Sequence, residues 1–394
     1  MNAPHPQLRE IGTIVVGGGI VGLFLSGFLA LEGLDVALID DGTGGGSAAN
    51  AGSLHVQMQS RFMRLFPTLV PEFERQLPLY PKAVQFWRAL QTELDADFDL
   101  KITGGLMIAE TAEQLEFLHV KSKRERALGL DVEILERGEL QRIAPYLGPS
   151  AYGAEFCANE GKLNPLLCNA AVRRWAVSKG VVLLEEELVL KLGKVHGGFD
   201  VTTSRGVIRA GHVALAAGAG TRKLAAWLGA HVPVDPEPLH MNITEPTTPL
   251  IGHLVQHAER SITLKQFGSG QIVIGGGWPA HLSEKRSHPT VELASLIGNA
   301  TLAQYMVPKI APLRIIRTWA GINSKADGRG VLGAFPGVDG LFIAIPGDAG
   351  YTLGPLSARL VADSMLRRTV SEDLTPYSPE RFLAPAKYLP SVYY

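Results

Sequence analysis

The sequence predicts an α/β protein, α+β overall, in which a domain built on a parallel sheet is interleaved with a domain that has a mixed sheet. Three observations predict it. Near the N-terminus an apolar strand leads into a glycine-rich turn and then into an apolar helix. Strand and helix patterns continue to alternate further along, which is typical of parallel sheets. The chain has 394 residues, and at about 150 residues per domain this length favours two or three domains.

The composition excludes several functional classes. It is 46% hydrophobic and 19% charged, which is too apolar for a disordered chain. Lys and Arg number 37 against 38 Asp and Glu, a net charge of −1, so no basic surface for nucleic acid is expected. The only cysteines are Cys157 and Cys168, and the 11 histidines are scattered. We therefore expect no metal site and no iron–sulfur cluster from this chain's own cysteines, and we expect a reducing, cytoplasmic location.

The uncharged segment from Thr13 to Leu31 is long enough to be a candidate membrane span. Three consecutive glycines, Gly17 to Gly19, would weaken such a helix in its middle, and the preceding residues are not a basic signal region. We therefore expect a strand at Thr13–Val16, then a turn and a helix, and no transmembrane segment.

The turn Gly17-Gly18-Gly19-Ile20-Val21-Gly22 fits the pattern G-x-G-x-x-G. In this pattern the first glycine permits a tight turn, the second lets the backbone approach a pyrophosphate, and the third lets helix and strand pack closely. The helix N-terminus then faces the phosphates. Asp40 ends the next predicted strand, 18 residues after Gly22 (40 − 22), where a carboxylate can bind a ribose. The segment predicts a Rossmann-like dinucleotide site.

A loop of small residues follows at 44–57, and Ser47 within it can reach a phosphate. A nicotinamide enzyme would be expected to continue into a third strand, so this loop favours a different dinucleotide. A flexible linker is the alternative interpretation, but the apolar residues within the loop argue against it.

These segments resemble the D-amino-acid oxidase, glycine oxidase and sarcosine oxidase family of FAD enzymes. The likeness continues at Asn159–Leu167, Val213–Gly220, Arg317–Gly321 and Gly347–Pro355. Within the family, NAGSLHVQ followed by GDAGYTLGP is most similar to the FAD (beta) subunits of opine oxidases and dye-linked hydroxyproline or proline dehydrogenases.

The resemblance implies non-covalently bound FAD. It places the FAD-binding domain at 1–60, 148–232 and 317–394, and the substrate-binding domain at 61–147 and 233–316. The residues expected to bind FAD are Gly17, Gly19, Ile20, Val21, Gly22, Asp40, Asp41, Ser47, Asn50, Ala51, Gly52, Ser53, Leu54, Val189, Ala217, Gly218, Gly321, Gly350, Tyr351, Thr352 and Leu353.

Catalysis of amine oxidation requires few side chains, because the flavin accepts the hydride at N5. The candidates are His55, Asn323 and Tyr351. In family amino-acid oxidases an Arg after the Ala-Gly pair binds the substrate carboxylate. Here Asn323 follows Ala320-Gly321-Ile322, so that clamp is absent from its usual place. Arg317, Lys265 or an Arg of the substrate-binding domain are the alternatives. Asp348 occupies a turn in which many relatives have His.

The branch resembled implies oxidation of an opine, hydroxyproline or proline-like substrate. Electrons would pass through FMN or iron–sulfur centres of partner subunits to a respiratory acceptor, which would bring the chain to the inner face of the membrane. The alternatives are a single-subunit oxidase that reduces oxygen to hydrogen peroxide, a nicotinamide-dependent enzyme, and a flavoprotein without catalytic activity.

Several local elements are also predicted. Thr111 and Gln114 fit a capping box that opens a helix, and Asn164-Pro165 fits the start of another. A strand pair is expected around Gly104-Gly105, a hairpin at Ile262–Gly275, and a C-terminal helix from about Gly354. Two separate strands are expected at Val207–Arg209 and Val213–Ala216.

Overall fold

A computed structural model of the chain describes residues 9–43, 45–282 and 288–383. The strands are β1 (Arg9–Val16), β2 (Val36–Asp40), β3 (Ser53–Leu54), β4 (Gly105–Ala109), β5 (Val132–Glu136), β6 (Gly153–Cys157), β7 (Gly161–Lys162), β8 (Val182–Glu185), β9 (Val189–Val195), β10 (Gly198–Thr203), β11 (Gly206–Leu215), β12 (Asp235–Thr244), β13 (Leu254–His257), β14 (Thr263–Gln266), β15 (Ile272–Pro279), β16 (Ile315–Lys325), β17 (Val331–Ala334) and β18 (Leu341–Ile345). The helices are α1 (Ile20–Leu31), α2 (Ser60–Leu65), α3 (Val70–Glu74), α4 (Leu79–Leu94), α5 (Ala112–Ala127), α6 (Arg137–Ile143), α7 (Pro165–Ser178), α8 (Thr221–Ala226), α9 (Leu293–Met306) and α10 (Gly350–Met365).

The chain folds into two compact units, each assembled from separate stretches. Among the described residues, unit 1 comprises 9–43, 45–48, 169–237 and 323–383, and unit 2 comprises 49–168, 238–282 and 288–322. The segments 49–60 and 148–168 were expected in the FAD-binding domain but lie in unit 2. The reason is backbone pairing, since β7 joins β3 and β6 joins β4 and β5. The assignment of the units to cofactor and substrate stays a prediction.

The sheet of unit 1 confirms the α/β class. Its strands run in the order β17-β18-β11-β1-β2-β8. The neighbours β18, β11, β1, β2 and β8 are parallel to one another. From β1 the chain proceeds to β2 and β8 on one side, and later adds β11 and β18 on the other. In open parallel sheets a ligand binds at the carboxyl ends of the strands, where the order reverses in this way. Here that point lies beside the end of β1.

Two predicted elements of unit 1 differ from the structure. The separate strands expected at Val207–Arg209 and Val213–Ala216 are one strand, β11, because its first half pairs with β10 while its pairing with β1 continues from Ile208 to Leu215. The C-terminal helix α10 begins at Gly350, four residues before the expected Gly354 (354 − 350).

The expected start of helix α7 at Asn164-Pro165 is confirmed, since Asn164 Oδ1 accepts hydrogen bonds from the N–H groups of Leu166 and Leu167.

The apolar N-terminal segment forms a strand, a turn and helix α1 as predicted. Helix α1 packs tightly on α7, because a Cβ at Gly27 would overlap the ring of Trp175. The Phe24 and Phe28 rings lie 5.7 and 5.3 Å from that ring. In the part of the chain that the structure describes, no helix is both long and apolar enough to cross a bilayer.

The sheet of unit 2 is mixed, with the order β16-β12-β15-β14-β13-β4-β6-β5. The predicted hairpin is confirmed as β14 and β15, which pair Lys265 with Val273. The strand pair expected around Gly104-Gly105 is wrong. Gly105 begins β4, whose neighbours β13 and β6 come from distant parts of the chain. Thr111 caps α5, because its hydroxyl oxygen accepts a hydrogen bond from Gln114 N. Gln114 Oε1 accepts a hydrogen bond from Glu110 N and not from Thr111 N, so the reciprocal bond of the capping box is displaced by one residue.

Unit 2 contains a fully buried charge network centred on Lys121. Its ammonium lies 2.9 Å from Glu125 Oε2 and 2.6 Å from Glu155 Oε2. Burial lowers the pKa of Lys121, but the two carboxylates outweigh burial and the net shift is upward. Burial raises the pKa of Glu155 well above its ordinary value. The second carboxylate, Glu125, also accepts a hydrogen bond from Met58 N at 2.6 Å, so the network holds the loop that leads into α2.

Glu160 anchors the same loop from the other side. Its buried carboxylate accepts hydrogen bonds from Val56 N, Gln57 N and Gln57 Nε2 at 2.7, 3.0 and 2.9 Å. A fourth comes from Gln256 Nε2 at 2.9 Å. Burial raises the pKa of Glu160 to about 7, against these hydrogen bonds, which lower it. The segment 56–58 is thus fixed by two buried carboxylates.

The substitution Lys121→Met is expected to destabilise the protein by about 3–5 kcal/mol, because it leaves two buried carboxylates without their cation. Lys123→Met is the matched control on the exposed face of α5 and is expected to change stability by less than about 0.5 kcal/mol. Urea unfolding of both variants measures the difference. Equal stability of the two variants would show that the network contributes no net stabilisation.

Candidate functional site

The glycine turn lies at the carboxyl end of β1 and requires glycine at two positions. Gly17 has a φ of +113°, and a Cβ there would lie 2.6 Å from Ala216 O at the end of β11. A Cβ at Gly22 would overlap the carbonyl oxygen of Gly17. The turn and the first turn of α1 therefore pack backbone against backbone, as the fingerprint predicts.

Asp40 lies directly beside the turn. A Cβ at Gly18 would overlap the Asp40 carboxylate, which places that side chain across the glycines at the end of β2. The next residue, Asp41, stabilises the turn that follows β2. Its Oδ1 accepts hydrogen bonds from Thr43 N and Thr43 Oγ1 at 3.0 and 2.7 Å. The geometry therefore makes Asp40 the available carboxylate for a ribose, while Asp41 organises the following turn.

Ser47 caps helix α1 from a distant loop. Its Oγ accepts a hydrogen bond from Ile20 N at 2.9 Å, whereas the N-cap residue Gly19 has no side chain to do so. A Cβ at Gly19 would lie 2.9 Å from the same Oγ. The Ser47 hydroxyl can still donate its own proton, so it can bind an anion at the helix N-terminus. Gly44, which the sequence analysis included in this loop, lies outside the described residues.

A second helix N-terminus lies close to the first. Helix α10 begins at Gly350, and a Cβ at Gly354 would meet Ile20 Cγ2 and Val21 Cγ2 at 3.3 and 3.5 Å. Tyr351, Thr352 and Leu353 form its buried first turn. Both N-termini carry partial positive charge and orphan N–H groups, which suits a ligand that is anionic along its length.

Asn169 was missed by the sequence analysis and joins these parts of unit 1. From α7, its Nδ2 donates to Ser47 O at 2.9 Å. Its Oδ1 accepts from the Tyr351 hydroxyl, also at 2.9 Å. The amide thus connects the loop that caps α1 to the first turn of α10. Its position at the fifth residue of an apolar helix gave no local signal, since a polar residue there is ordinarily solvent-facing.

The other predicted FAD residues of unit 1 are placed as follows. Ala217 and Gly218 follow β11. Gly218 has a φ of +55°, and a Cβ there would lie 2.8 Å from Ser324 Oγ. Val189 begins β9 and is buried in the core of unit 1. Contact of any of these residues with a cofactor stays a prediction.

A cluster of polar side chains in unit 2 surrounds Ser53. Lys265 Nζ donates to Ser53 Oγ at 2.7 Å. Burial and the neighbouring Lys162 ammonium lower the pKa of Lys265 to about 7. His55 lies near Lys265, and burial together with that cation lowers the pKa of His55 to about 3. His55 is therefore neutral at physiological pH, and its buried Nδ1 has no hydrogen-bond partner among the described residues.

The remaining predicted residues of unit 2 shape the loop that leads to Ser53. Asn50 Oδ1 accepts from Gly52 N at 2.7 Å, and Gly52 has a φ of +77°. Leu54 is fully buried in β3, next to the predicted FAD residues Ala51 and Ser53. Gly321 permits close packing, because a Cβ there would lie 2.7 Å from Ala49 Cβ.

Asn323, in unit 1, is engaged with a buried carboxylate. Its Nδ2 donates to Glu237 Oε2 at 3.1 Å. Burial and the Glu237 charge raise the pKa of the nearby Asp348 to about 6, while Lys325 opposes the shift. Asp348 Oδ1 is buried without a hydrogen-bond partner. Within the described ranges, no group of three or more His, Cys, Asp or Glu residues could hold a metal ion.

Comparison with known proteins shows the family to which the chain belongs. The family profile described as "FAD dependent oxidoreductase" (DAO) matches residues 13–364. The chain belongs to this family. It is 27% identical to the glycine oxidase of Geobacillus kaustophilus, over 94% of this chain and 96% of that protein. The crystal structure of that glycine oxidase superposes with a TM-score of 0.82 at 26% identity, covering 94% of this chain and 98% of the other.

Two relatives are named as components of larger enzymes. The chain is 26% identical to the beta subunit of the sarcosine oxidase of Rhizobium meliloti, over 90% of this chain and 83% of that protein. It is 23% identical to an opine oxidase subunit of Agrobacterium tumefaciens, over 96% and 99% of the two chains. The predicted fold and the predicted family are therefore confirmed.

The chain is an FAD-dependent oxidoreductase, and the geometry of unit 1 fits that cofactor. The glycine turn lacks Cβ atoms at the start of α1, Asp40 lies beside it, and the N-termini of α1 and α10 are adjacent. These are the features that an extended adenine dinucleotide requires.

Asn169→Ala is expected to weaken FAD binding about tenfold, because each lost hydrogen bond contributes about 0.5–1.5 kcal/mol. Tyr351→Phe removes one of the two bonds and is expected to have a smaller effect. Asn169→Asp keeps the acceptor for the Tyr351 hydroxyl but loses the donor to Ser47 O, so it separates the contributions of the two hydrogen bonds. Titration of the apoprotein with FAD, followed by flavin fluorescence, measures the dissociation constants. Unchanged constants in all three variants would contradict the positioning role.

Proposed function

We propose that this protein oxidises the C–N bond of an amino or imino acid, an opine, hydroxyproline or proline-like compound, and passes the electrons to a partner subunit or a respiratory acceptor. FAD, when bound, accepts the hydride from the substrate carbon. Loss of a hydride and a proton from CH–NH gives C=N, which water hydrolyses to a carbonyl compound and an amine. The support is similarity, over almost the whole chain, to enzymes named for glycine, sarcosine and opine oxidation.

We assign unit 1 to FAD binding and unit 2 to the substrate. The residues proposed to hold FAD are those residues of unit 1 that were predicted from the sequence, with Asn169 added as a positioning residue. In this assignment Ser47 and the N-termini of α1 and α10 neutralise anionic parts of the cofactor, and Asp40 accepts hydrogen bonds from the ribose.

The observation that carries the substrate assignment is the buried ammonium of Lys265. Its side chain is 0% exposed, and its hydrogen-bond partner is the neutral Ser53 hydroxyl. A buried charge is costly unless it is paired, so this site favours an anionic ligand. We propose that Lys265 binds the substrate carboxylate. It replaces the Arg that is absent at position 323, since Asn323 is already bonded to Glu237.

His55 is proposed to contact the substrate in its neutral form. A pKa of about 3 excludes a permanent positive charge near the amine, and a neutral imidazole can accept or donate at the unpartnered Nδ1. Because hydride transfer requires the free amine, a neutral neighbour is compatible with the proposed reaction, whereas a second cation would oppose binding of a protonated amine.

Anaerobic mixing of the purified holoprotein with opines, hydroxyprolines, proline, sarcosine and glycine tests the proposal. We expect the flavin absorbance near 450 nm to bleach rapidly with at least one N-substituted or cyclic amino acid, and slowly with glycine. Simple primary amino acids reacting fastest would contradict the interpretation of Asn323, and no bleaching by any amine would exclude amine oxidation.

The electron acceptor is tested in air with the chain alone. We expect turnover with an artificial dye and little hydrogen peroxide, as for a subunit that relies on a partner. Stoichiometric hydrogen peroxide from the purified chain would favour the alternative, a single-subunit oxidase that uses oxygen directly.

The pKa of Lys265 predicts how carboxylate binding depends on pH. Because burial and Lys162 lower that pKa to about 7, the ammonium is charged below pH 7 and loses its charge above it. The affinity for a non-oxidisable carboxylate, cyclopentanecarboxylate, is therefore expected to be constant below pH 7 and to fall by up to about tenfold per pH unit above it. His55 stays neutral throughout this range. Perturbation of the flavin spectrum measures the binding.

Two variants serve as controls for this pH dependence. Lys265→Met is expected to weaken binding at pH 6 by about 10–100-fold, the contribution of a charged hydrogen bond, and to abolish the step near pH 7. Lys265→Arg is expected to retain binding and also lose the step, because guanidinium stays charged. A step near pH 7 that persists in Lys265→Arg would assign it to another group.

A further inference from the structure

We propose that Lys162 binds a second carboxylate of the substrate, beside the carboxylate assigned to Lys265. The substrate is then a dicarboxylic secondary amine, an N-(carboxyalkyl) amino acid, and not a monocarboxylic acid such as proline. This inference rests on the proposed function and selects one substrate class among those it leaves open.

The two lysines converge on Ser53. Ser53 and Lys162 are directly opposite each other in the antiparallel pair β3 and β7. Side chains at directly opposite positions project from the same face, with Cβ atoms about 4.5–5.5 Å apart. Lys265 reaches the same serine from β14, with its Nζ 2.7 Å from Ser53 Oγ. Ser53 is therefore a neighbour of both lysines, through a hydrogen bond to Lys265 and through its position opposite Lys162 in the strand pair.

Both lysines are held in place by rigid backbone. Lys162 N donates to Lys101 O at 2.9 Å, and Lys101 N donates to Lys162 O at 2.8 Å. Lys162 is thus paired with Lys101 on one side and with Ser53 on the other. Lys265 lies inside the sheet of unit 2, hydrogen-bonded through β15. Neither side chain has room to turn towards bulk solvent, since Lys162 is 3% exposed and Lys265 is 0% exposed.

The neighbouring carboxylates already have hydrogen-bond or ion-pair partners other than Lys162 and Lys265. Glu160, two residues before Lys162, accepts four hydrogen bonds from the loop and from Gln256. Asp99 is bound by Lys101 at 2.6 Å and by Gly268 N at 2.6 Å. Glu155 and Glu125 pair with Lys121. In the described part of the chain, neither Lys162 nor Lys265 forms an ion pair.

The titration of the two lysines agrees with this geometry. Burial lowers the pKa of Lys162 to about 8, and Lys101 adds to the shift while Asp99 opposes it. Burial and Lys162 lower the pKa of Lys265 to about 7. Two buried cations, one of which lowers the pKa of the other, are expensive to maintain without a ligand. A ligand with two carboxylates would pair both of them, whereas one carboxylate would leave a cation unpaired.

The test compares two secondary amines that differ in one carboxylate. The holoprotein is mixed anaerobically with N-(carboxymethyl)-L-alanine or with N-ethyl-L-alanine, and the concentration dependence of flavin bleaching gives a dissociation constant for each. We expect the dicarboxylate to bind about 10–100-fold more tightly, as one additional charge-assisted hydrogen bond implies.

Three variants locate the effect. Lys162→Met is expected to weaken binding of the dicarboxylate to the level of N-ethyl-L-alanine. Lys162→Arg is expected to restore most of the preference, which excludes misfolding as the cause. Lys101→Met, the matched control, removes a neighbouring lysine that already has Asp99 as its partner and is expected to leave the preference within about threefold.

A second readout does not depend on turnover. Glutarate, a dianion, and butyrate, a monoanion, are titrated into the oxidised holoprotein and followed by the flavin spectrum. Tighter binding of glutarate that is lost in Lys162→Met supports the second-carboxylate site even if no amine bleaches the flavin, in which case only the proposed function fails. Equal binding of both anions, or equal weakening of both by Lys162→Met, would overturn the inference.

Discussion

The close backbone contact between β1 and α1 is the constraint on which the cofactor site depends. Gly17 turns with a positive φ against the backbone of Ala216, and Gly22 lies against the carbonyl of Gly17. With no Cβ at either position, the helix begins directly at the edge of the parallel sheet. The orphan N–H groups of α1 then lie at the point where the strand order reverses. Ser47, Asn169 and Tyr351 are organised around that helix start.

The loop that precedes α2 is stabilised differently, by buried carboxylates rather than by apolar packing. Glu160 and Glu125 together accept the backbone N–H groups of Val56, Gln57 and Met58. A loop has few backbone partners of its own, so these side chains take the role that a neighbouring strand would have in a sheet. The consequence for function is that Ser53 and His55, just before the anchored segment, are held in fixed positions.

Unit 2 contains buried lysines of two kinds, which differ in whether a carboxylate is bound to the ammonium group. Lys121 has two carboxylate partners, which keep its pKa above the ordinary value despite burial. Lys162 and Lys265 are also buried but have no carboxylate partner among the described residues, and their pKa values fall to about 8 and 7. A paired buried charge contributes to the folded state, while an unpaired one opposes it. The second kind is what a binding site for anions requires.

The sequence by itself determined the first βαβ unit, the FAD family and most of the local elements. The first βαβ unit and the local elements follow from short-range rules, namely glycine spacing, apolar periodicity and helix capping, that operate over fewer than about 20 residues. The FAD family follows from the resemblance of several motifs along the chain. The tertiary structure decided everything that depends on long-range pairing. It joined the predicted strands of β11 into one, gave Gly105 partners far along the chain, and moved residues 49–60 and 148–168 into unit 2. It also gave Asn169 its two partners, and it buried Lys162 and Lys265 with no carboxylate partner in the described part of the chain. No local pattern carries that information, because the partners of a buried polar group are set by how distant segments pack.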